Sequence, residues 1–310
     1  MKKFVAILLT LMLVLGVSGA LAADAKSVVI NKEYKLVGAG SSPAETFTLV
    51  QTGSEVTNGD AGAAPALGVI TGATFDAGAA TSEGVTKPIT VNLPEYDRVG
   101  IYEYTLKEVK GNTAGVGYYD AAMKLVVTVV NGENGLERVA AVHTELAQGA
   151  DKSDTFENTY SAGTLTVKKT VTGNLGDKNK EFDFTVTFAA PEGKDWTPAI
   201  TLPTGAGMVE DNPMSYTFKL KHDGTATFGN LPAGVTYTVT ETPVDGYTTT
   251  ISNDGKGTIV AGLNEVTCTN HKHGEIPTGV TTENLPYVLL IGFVVLAGAA
   301  LLIKRKAHNN

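Results

Sequence analysis

The sequence predicts an all-β protein made of two sandwich domains in tandem, and three observations lead there. Strand-period alternation recurs while helix-period patterning is scarce: "EFDFTVTF" puts Phe182, Phe184, Val186 and Phe188 on one face. "YEYTL", "KLVVTVV" and "YTVTE" alternate in the same way. Turns rich in Gly, Asn and Asp, at "NGENG" (131–135), "HDGT" (222–225) and "NDGKG" (253–257), separate the runs. Such turns suit antiparallel sandwiches rather than βαβ units. The chain also repeats loosely. "SVVINKEYKL" matches "TLTVKKTV" (164–171), "GIYEYTLKEV" (100–109) matches "GVTYTVTETP" (234–243), and "DTFENTY" (154–160) matches "EVTCTNHK" (265–272). These repeats predict domains over 23–160 and 161–274, with the boundary near "TYSAG" (159–163). The Gly- and Ala-rich residues 51–85 read as a long loop or insertion in the first.

Both ends carry export signals. Lys2 and Lys3 precede an apolar run from Phe4 to Val17 and the small-residue stretch "SGALAADA". That is a secretory signal peptide over 1–22, cleaved after Ala22. At the other end "HGEIPTGV" (273–280) precedes an apolar segment, 285–303, long enough to span a bilayer. Lys304, Arg305 and Lys306 follow it and hold the cytoplasmic side. The order of Pro-Thr-Gly triplet, polar spacer, apolar span and basic tail resembles the cell-wall sorting signal of Gram-positive bacteria. "EIPTG" stands in place of the common Leu-Pro-x-Thr-Gly. The resemblance implies that a sortase thiolate attacks the carbonyl of Thr278 and releases Gly279 onward.

Removing both ends takes Lys2, Lys3, Lys304, Arg305 and Lys306 from 24 basic residues and Glu283 from 32 acidic ones. The 19 and 31 that remain give residues 23–278 about −12 at neutral pH, which argues against a nucleic-acid partner. One cysteine, Cys268, allows no intramolecular disulfide. A secreted multi-strand protein thus lacks its usual covalent staple.

Alternate side chains of a strand share a face. By that rule Lys32 points with Val28 and Ile30, Glu108 with Tyr104 and Leu106, and Asn158 with Phe156. In the second repeat Lys169 points with Leu165, Val167 and Val171, Glu241 with Tyr237 and Val239, and Asn270 with Val266 and Cys268. Lys168 and Lys35 fall on the opposite faces. Each repeat therefore aims one Lys, one Glu and one Asn at its core. Burial disfavours the charged forms of lysine and glutamate. A neutral amine is a nucleophile, a protonated glutamate donates a hydrogen bond, and an asparagine carbonyl accepting that bond is electrophilic. The three together predict attack of amine on amide, with Glu108 and Glu241 as proton shuttles. Ammonia leaves, and the bonds Lys32–Asn158 and Lys169–Asn270 remain.

With "TLTVKK", Thr240-Glu241 and "CTN" ahead of "EIPTG" in place, the chain resembles the two-domain major pilins of Gram-positive bacteria, streptococcal type. The resemblance implies Ig-like domains of the Cna-B type with internal isopeptide bonds, and a backbone subunit polymerised by sortase at the cell surface. It implies identical subunits, sortase, and minor pilins or peptidoglycan as covalent partners, with a host-cell ligand as a further possibility. It also implies an acceptor lysine shortly before the asparagine strand of the first domain. Lys152 in "QGADKSDTFEN" fits that place, with Lys87 and Lys124 as weaker candidates.

No cofactor, metal site or turnover activity is expected. His271 and His273 alternate without further ligands, no Cys-Gln motif supports a thioester at Cys268, and hydrolase, zincin and phosphate-loop patterns are absent. The rival reading is a monomeric, sortase-anchored adhesin, which needs the anchor but no acceptor lysine.

Overall fold

Residues 25–59, 63–143, 153–275, 287 and 289–297 are described in the computed structural model of the chain. The first part contains β1 (Ser27–Gly38), β2 (Glu45–Phe47), β3 (Leu49–Gly59), β4 (Ile70–Thr71), β5 (Ala73–Phe75), β6 (Val85–Asn92), β7 (Gly100–Glu108), β8 (Val116–Gly117), β9 (Met123–Gly132) and β10 (Gly135–His143). The long β11 (Thr155–Thr172) follows. The second part adds β12 (Phe182–Ala189), β13 (Gly207–Val209), β14 (Asn212–Leu220), β15 (Thr225–Pro232), β16 (Thr236–Glu241), β17 (Thr248–Ile251), β18 (Lys256–Thr258) and β19 (Gly262–His271). The all-β class and the sandwich layering agree with the sequence. One sheet runs β10-β9-β7-β3 and faces the layer formed by β4, β6, β1, β11 and β8; another runs β13-β14-β12-β16-β18 and faces β17, β19, β11 and β15.

The alternating runs fall on strands, and their apolar faces are buried. Met123, Leu125, Val127 and Val129 of β9 pack with Tyr102, Tyr104 and Leu106 of β7 in one core. Phe182, Phe184, Val186 and Phe188 of β12 pack with Leu165, Val167, Phe228 and Val239 in the other. The turn at 131–135 joins β9 to β10, and that at 222–225 joins β14 to β15. At 253–257 a short 3-10 turn, Ser252–Gly255, places Asn253 (φ 50°) and Asp254 (φ 53°) in the left-handed region that these residue types tolerate.

Residues 51–85 differ from the expected loop, because β3 runs through 59 and β4 and β5 lie within the stretch. Only Leu49 of β3 is buried. β3 is an edge strand held by its ladder to β7, with register shifts between Gln51 and Gly53 and between Val56 and Asn58. An edge strand with bulges and solvated side chains carries no apolar alternation to read.

The junction between the two cores is a strand and not a linker. β11 pairs in parallel with β1 up to Gly38↔Ala162, and from Gly163↔Gly262 it pairs in parallel with β19. Along its other edge β8 gives way to β15 in the same region, with Tyr160↔Val116 followed by Ala162↔Pro232. Main-chain bonds from Ala114 N to Asp195 O and from Asp195 N to Asn112 O, both 2.9 Å, tie the two parts directly. Asn230 adds to this: its Oδ1 accepts from Ser41 N at 2.8 Å.

Among the described residues no helix is long and apolar enough to cross a membrane. Tyr287 and residues 289–297 are helical, with Leu289, Leu290, Ile291 and Phe293 exposed. The predicted span 285–303 lies in large part outside the described residues.

Gly38 sits at the changeover with φ +90°, where an added Cβ would lie 2.2 Å from Ala162 O and 2.6 Å from Gly262 N. Gly38→Ala is expected to cost at least the ~1–3 kcal/mol of a strained backbone. Thermal unfolding checks it, as a lower transition midpoint.

Candidate functional site

Six polar side chains that a sandwich core should reject lie inside these two cores. Lys32, Glu108 and Asn158 are buried in the first; Lys169 and Asn270, with the side chain of Glu241, are buried in the second. Register brings them together. In the parallel pair β1·β11, Lys32 lies opposite Phe156 and Asn158 opposite Tyr34. In β11·β19, Lys169 lies opposite Cys268 and Asn270 opposite Val171. In both pairs the lysine and asparagine are therefore two positions apart on neighbouring strands and share a face. The glutamates arrive from the facing sheets, on the last residues of β7 and β16.

Each glutamate touches both partners. Glu108 Oε1 is 3.2 Å from Lys32 Nζ, an ion-pair approach without hydrogen-bond alignment. Asn158 Nδ2 donates to Glu108 Oε1 and Oε2 at 2.9 and 3.0 Å. In the second cluster Lys169 Nζ donates to Glu241 Oε2 at 2.6 Å, and Asn270 Nδ2 donates to Glu241 Oε1. This differs from the expected bond from a protonated glutamate to the asparagine carbonyl. Each amide turns its NH₂, which can only donate, toward the glutamate oxygens. Each glutamate then spans the amine that would attack and the nitrogen that would leave.

The carbonyl ends are not alike. Asn158 Oδ1 accepts from Tyr119 N at 2.8 Å, and the same N–H reaches Glu108 Oε2 at 2.7 Å. Asn270 Oδ1 is buried and accepts no hydrogen bond among the described residues.

Aromatic faces enclose both amines. Lys32 Nζ is 3.8 Å from the ring centre of Phe156 and 4.9 Å from that of Phe47. Lys169 Nζ is 4.2 Å from Phe182 and 5.4 Å from Phe184. Removal from water lowers the Lys32 pKa to about 8, against the opposing pull of Glu108. Burial lowers Lys169 too, against the hydrogen bond it donates to Glu241. A neutral amine is thus within reach of ordinary pH at the first site. Burial pushes the Cys268 thiol up to about 12, which keeps it an unreactive core residue.

Of the other residues singled out in the sequence, Lys35 and Lys168 pair with Glu157 (3.8 Å) and Glu265 (2.6 Å) on the outer face. Lys87 donates to Thr74 O at 2.6 Å, and Lys124 pairs with Glu103 at 2.5 Å. His271 Nδ1 is 3.0 Å from Thr172 Oγ1, and no group of three metal-ligating side chains occurs among the described residues. Lys152, Thr278 and Gly279 lie outside the described residues. Phe47 and the N–H of Tyr119 were not marked by the sequence. Phe47 sits in "ETFTLV", whose alternation hints at a core face, but a main-chain donor has no side-chain signature.

Residues 30–161 match the family model described as a Spy0128-like isopeptide containing domain, and residues 163–272 match a domain of unknown function, DUF7601. A pilin of Streptococcus pyogenes serotype M1 is 31% identical over 235 residues, 68% of this chain and 69% of the relative. The pilus tip adhesin Cpa of Streptococcus pyogenes is 34% identical over 125 residues, 38% of this chain and 18% of that protein. The fold is similar to the crystal structure of the major pilin from Streptococcus pyogenes, with TM-score 0.57 and 23% identity over 81% of this chain and 100% of that one. It is similar also to the major pilin T3.2 of that species, with TM-score 0.53 and 22% identity over 82% and 100%. Fold and matched region together define an all-β protein carrying a Spy0128-like isopeptide containing domain. The chain belongs to the pilin family.

Glu241→Ala leaves Lys169 buried without its carboxylate and is expected to destabilise the second core by about 3–5 kcal/mol. The double variant Lys169→Met, Glu241→Leu, which removes both charges, is expected to be more stable than Glu241→Ala, because no buried charge is left unpaired. Denaturant titration of the two variants checks it.

Proposed function

We propose that this protein is the structural backbone subunit of a covalent, sortase-polymerised cell-surface pilus, stabilised by two self-formed isopeptide bonds. The observation that carries the reading is the paired geometry: twice, one buried carboxylate touches both a buried lysine amine and a buried asparagine amide nitrogen. Lys32 Nζ attacks Cγ of Asn158 while Glu108 takes a proton from the amine and passes it to Nδ2. Ammonia leaves and the amide remains. Lys169, Glu241 and Asn270 repeat the sequence of events. Each reaction happens once, so the protein is a substrate of sortase and not a turnover enzyme.

The mechanical logic follows from where the bonds fall. Each joins the first and last strand of a sandwich, so load enters and leaves a domain without extending what lies between. Cross-linking a loop of roughly 100 residues also restricts the unfolded chain, worth about 4–5 kcal/mol in the chain-entropy view. The two sandwiches are assigned to 23–160 and 161–274. Export by a signal peptide over 1–22, membrane retention by 285–303, cleavage between Thr278 and Gly279, and Lys152 as acceptor complete the assembly route. The exposed apolar helical residues 289–297 support the membrane step. The likeness to a tip adhesin covers a smaller share of the chain than the likeness to a pilin, which favours the backbone role over the monomeric adhesin.

Intact mass of recombinant residues 23–278 tests the bonds. The expected value is two ammonia masses below that of the plain sequence, with one restored in Glu108→Ala and the other in Glu241→Ala. A mass equal to the plain sequence removes the proposal. The pH dependence has a defined sign. Below about 8 the Lys32 amine is mostly protonated and carries no lone pair. The rate of ammonia loss from the first domain is therefore expected to rise about tenfold per pH unit up to that point and to level off above it. Time-resolved mass measurement across pH checks this.

A further inference from the structure

The two clusters share their lysine, glutamate and asparagine but differ at the atom where negative charge must develop. We infer that the main-chain N–H of Tyr119 is the oxyanion donor of the first site, and that the second site, lacking one, closes its bond more slowly. This rests on the isopeptide reading above. When Lys32 Nζ bonds to Cγ of Asn158, the carbonyl π pair moves onto Oδ1. When that pair returns, the Cγ–Nδ2 bond breaks and the protonated nitrogen leaves as ammonia. Between the two events Oδ1 is an alkoxide in a dry core. Tyr119 N already stands 2.8 Å from it, at the distance such a donor needs. In the second domain the same oxygen, Asn270 Oδ1, is buried with no donor among the described residues.

The backbone explains the asymmetry. β8 pairs with the asparagine strand only at Gly117↔Thr159 and Val116↔Tyr160, then leaves the ladder, so the N–H of Tyr119 turns to the side chains. In the second domain β17 stays paired alongside the asparagine, through Thr249↔Asn270, Thr250↔Thr269 and Ile251↔Cys268. A strand that stays in the ladder turns no N–H toward the asparagine side chain.

The test follows both linked peptides, Lys32–Asn158 and Lys169–Asn270, by mass spectrometry of digests taken at intervals during cell-free synthesis of the full chain. In the unmodified chain the first linkage is expected to accumulate ahead of the second. Replacing Tyr119 by its α-hydroxy acid turns the amide into an ester, removing the N–H and keeping the side chain. The first linkage is then expected to form about a hundredfold more slowly, the typical cost of losing one such donor. The second linkage, unchanged, reports that the chain still folds, and Tyr119→Phe, which keeps the N–H, is expected to match the unmodified rate. The same N–H also reaches Glu108 Oε2 at 2.7 Å, so the rates are compared on the plateau above the Lys32 midpoint, where the amine is neutral in both chains and a shift of that midpoint does not enter. A first linkage as fast in the ester as in the unmodified chain on that plateau, or a second linkage at least as fast as the first, would each overturn the inference alone. Absence of both linkages from the unmodified chain overturns the isopeptide reading and this inference with it.

Discussion

A primary amine inside a hydrocarbon core must find a counter-charge, lose its proton or react, and two such amines organise this molecule. Lys32 and Lys169 are fully buried, so each sandwich has to bring a carboxylate across from its facing sheet and an amide from a neighbouring strand. A buried ion pair commonly gains little net stability, because the cost of leaving water offsets the attraction. Two apolar side chains of similar volume would pack at least as well. The retention of both charged pairs at equivalent places is better understood through chemistry than through stability. The aromatic rings around each amine serve the same end, since they exclude water while tolerating residual positive charge.

Pairing of the first and last strands of each sandwich is what brings lysine and asparagine together. The parallel ladders β1·β11 and β11·β19 hold the same two-residue offset between lysine and asparagine. The clusters are thus geometric repeats at the level of register, although the loops that pass over them are not. That is where Tyr119 enters one site with no equivalent in the other among the described residues.

Much of this was legible from residue order. Period-two alternation identified the six side chains, because a polar residue on an apolar face stands out in a strand such as "TLTVKK" or "YTVTE". The same rule separated Lys169 from Lys168 and Lys32 from Lys35, whose amines the structure places on opposite faces. Three things were not legible. β3 was read as loop because an edge strand held by its ladder needs no apolar face. The repeats place a boundary near 159–163 but do not reveal that one strand runs through it, where a Cβ on Gly163 would meet Val260 O and Gly262 O. The orientation of the amides and the main-chain N–H that donates to Asn158 are matters of geometry that side-chain spacing does not encode.

The shared strand β11 has a consequence for shape over distances far beyond one molecule. Asn158 and Lys169 lie on one continuous strand whose parallel partner passes directly from β1 to β19, so a swivel between the two sandwiches would have to disrupt main-chain pairing. Their relative rotation is set by the twist of that strand. Copies joined end to end would each contribute the same internal turn. In the filament proposed above, that fixed turn would give a screw of definite helical phase, with bending and torsion concentrated at the joints between subunits.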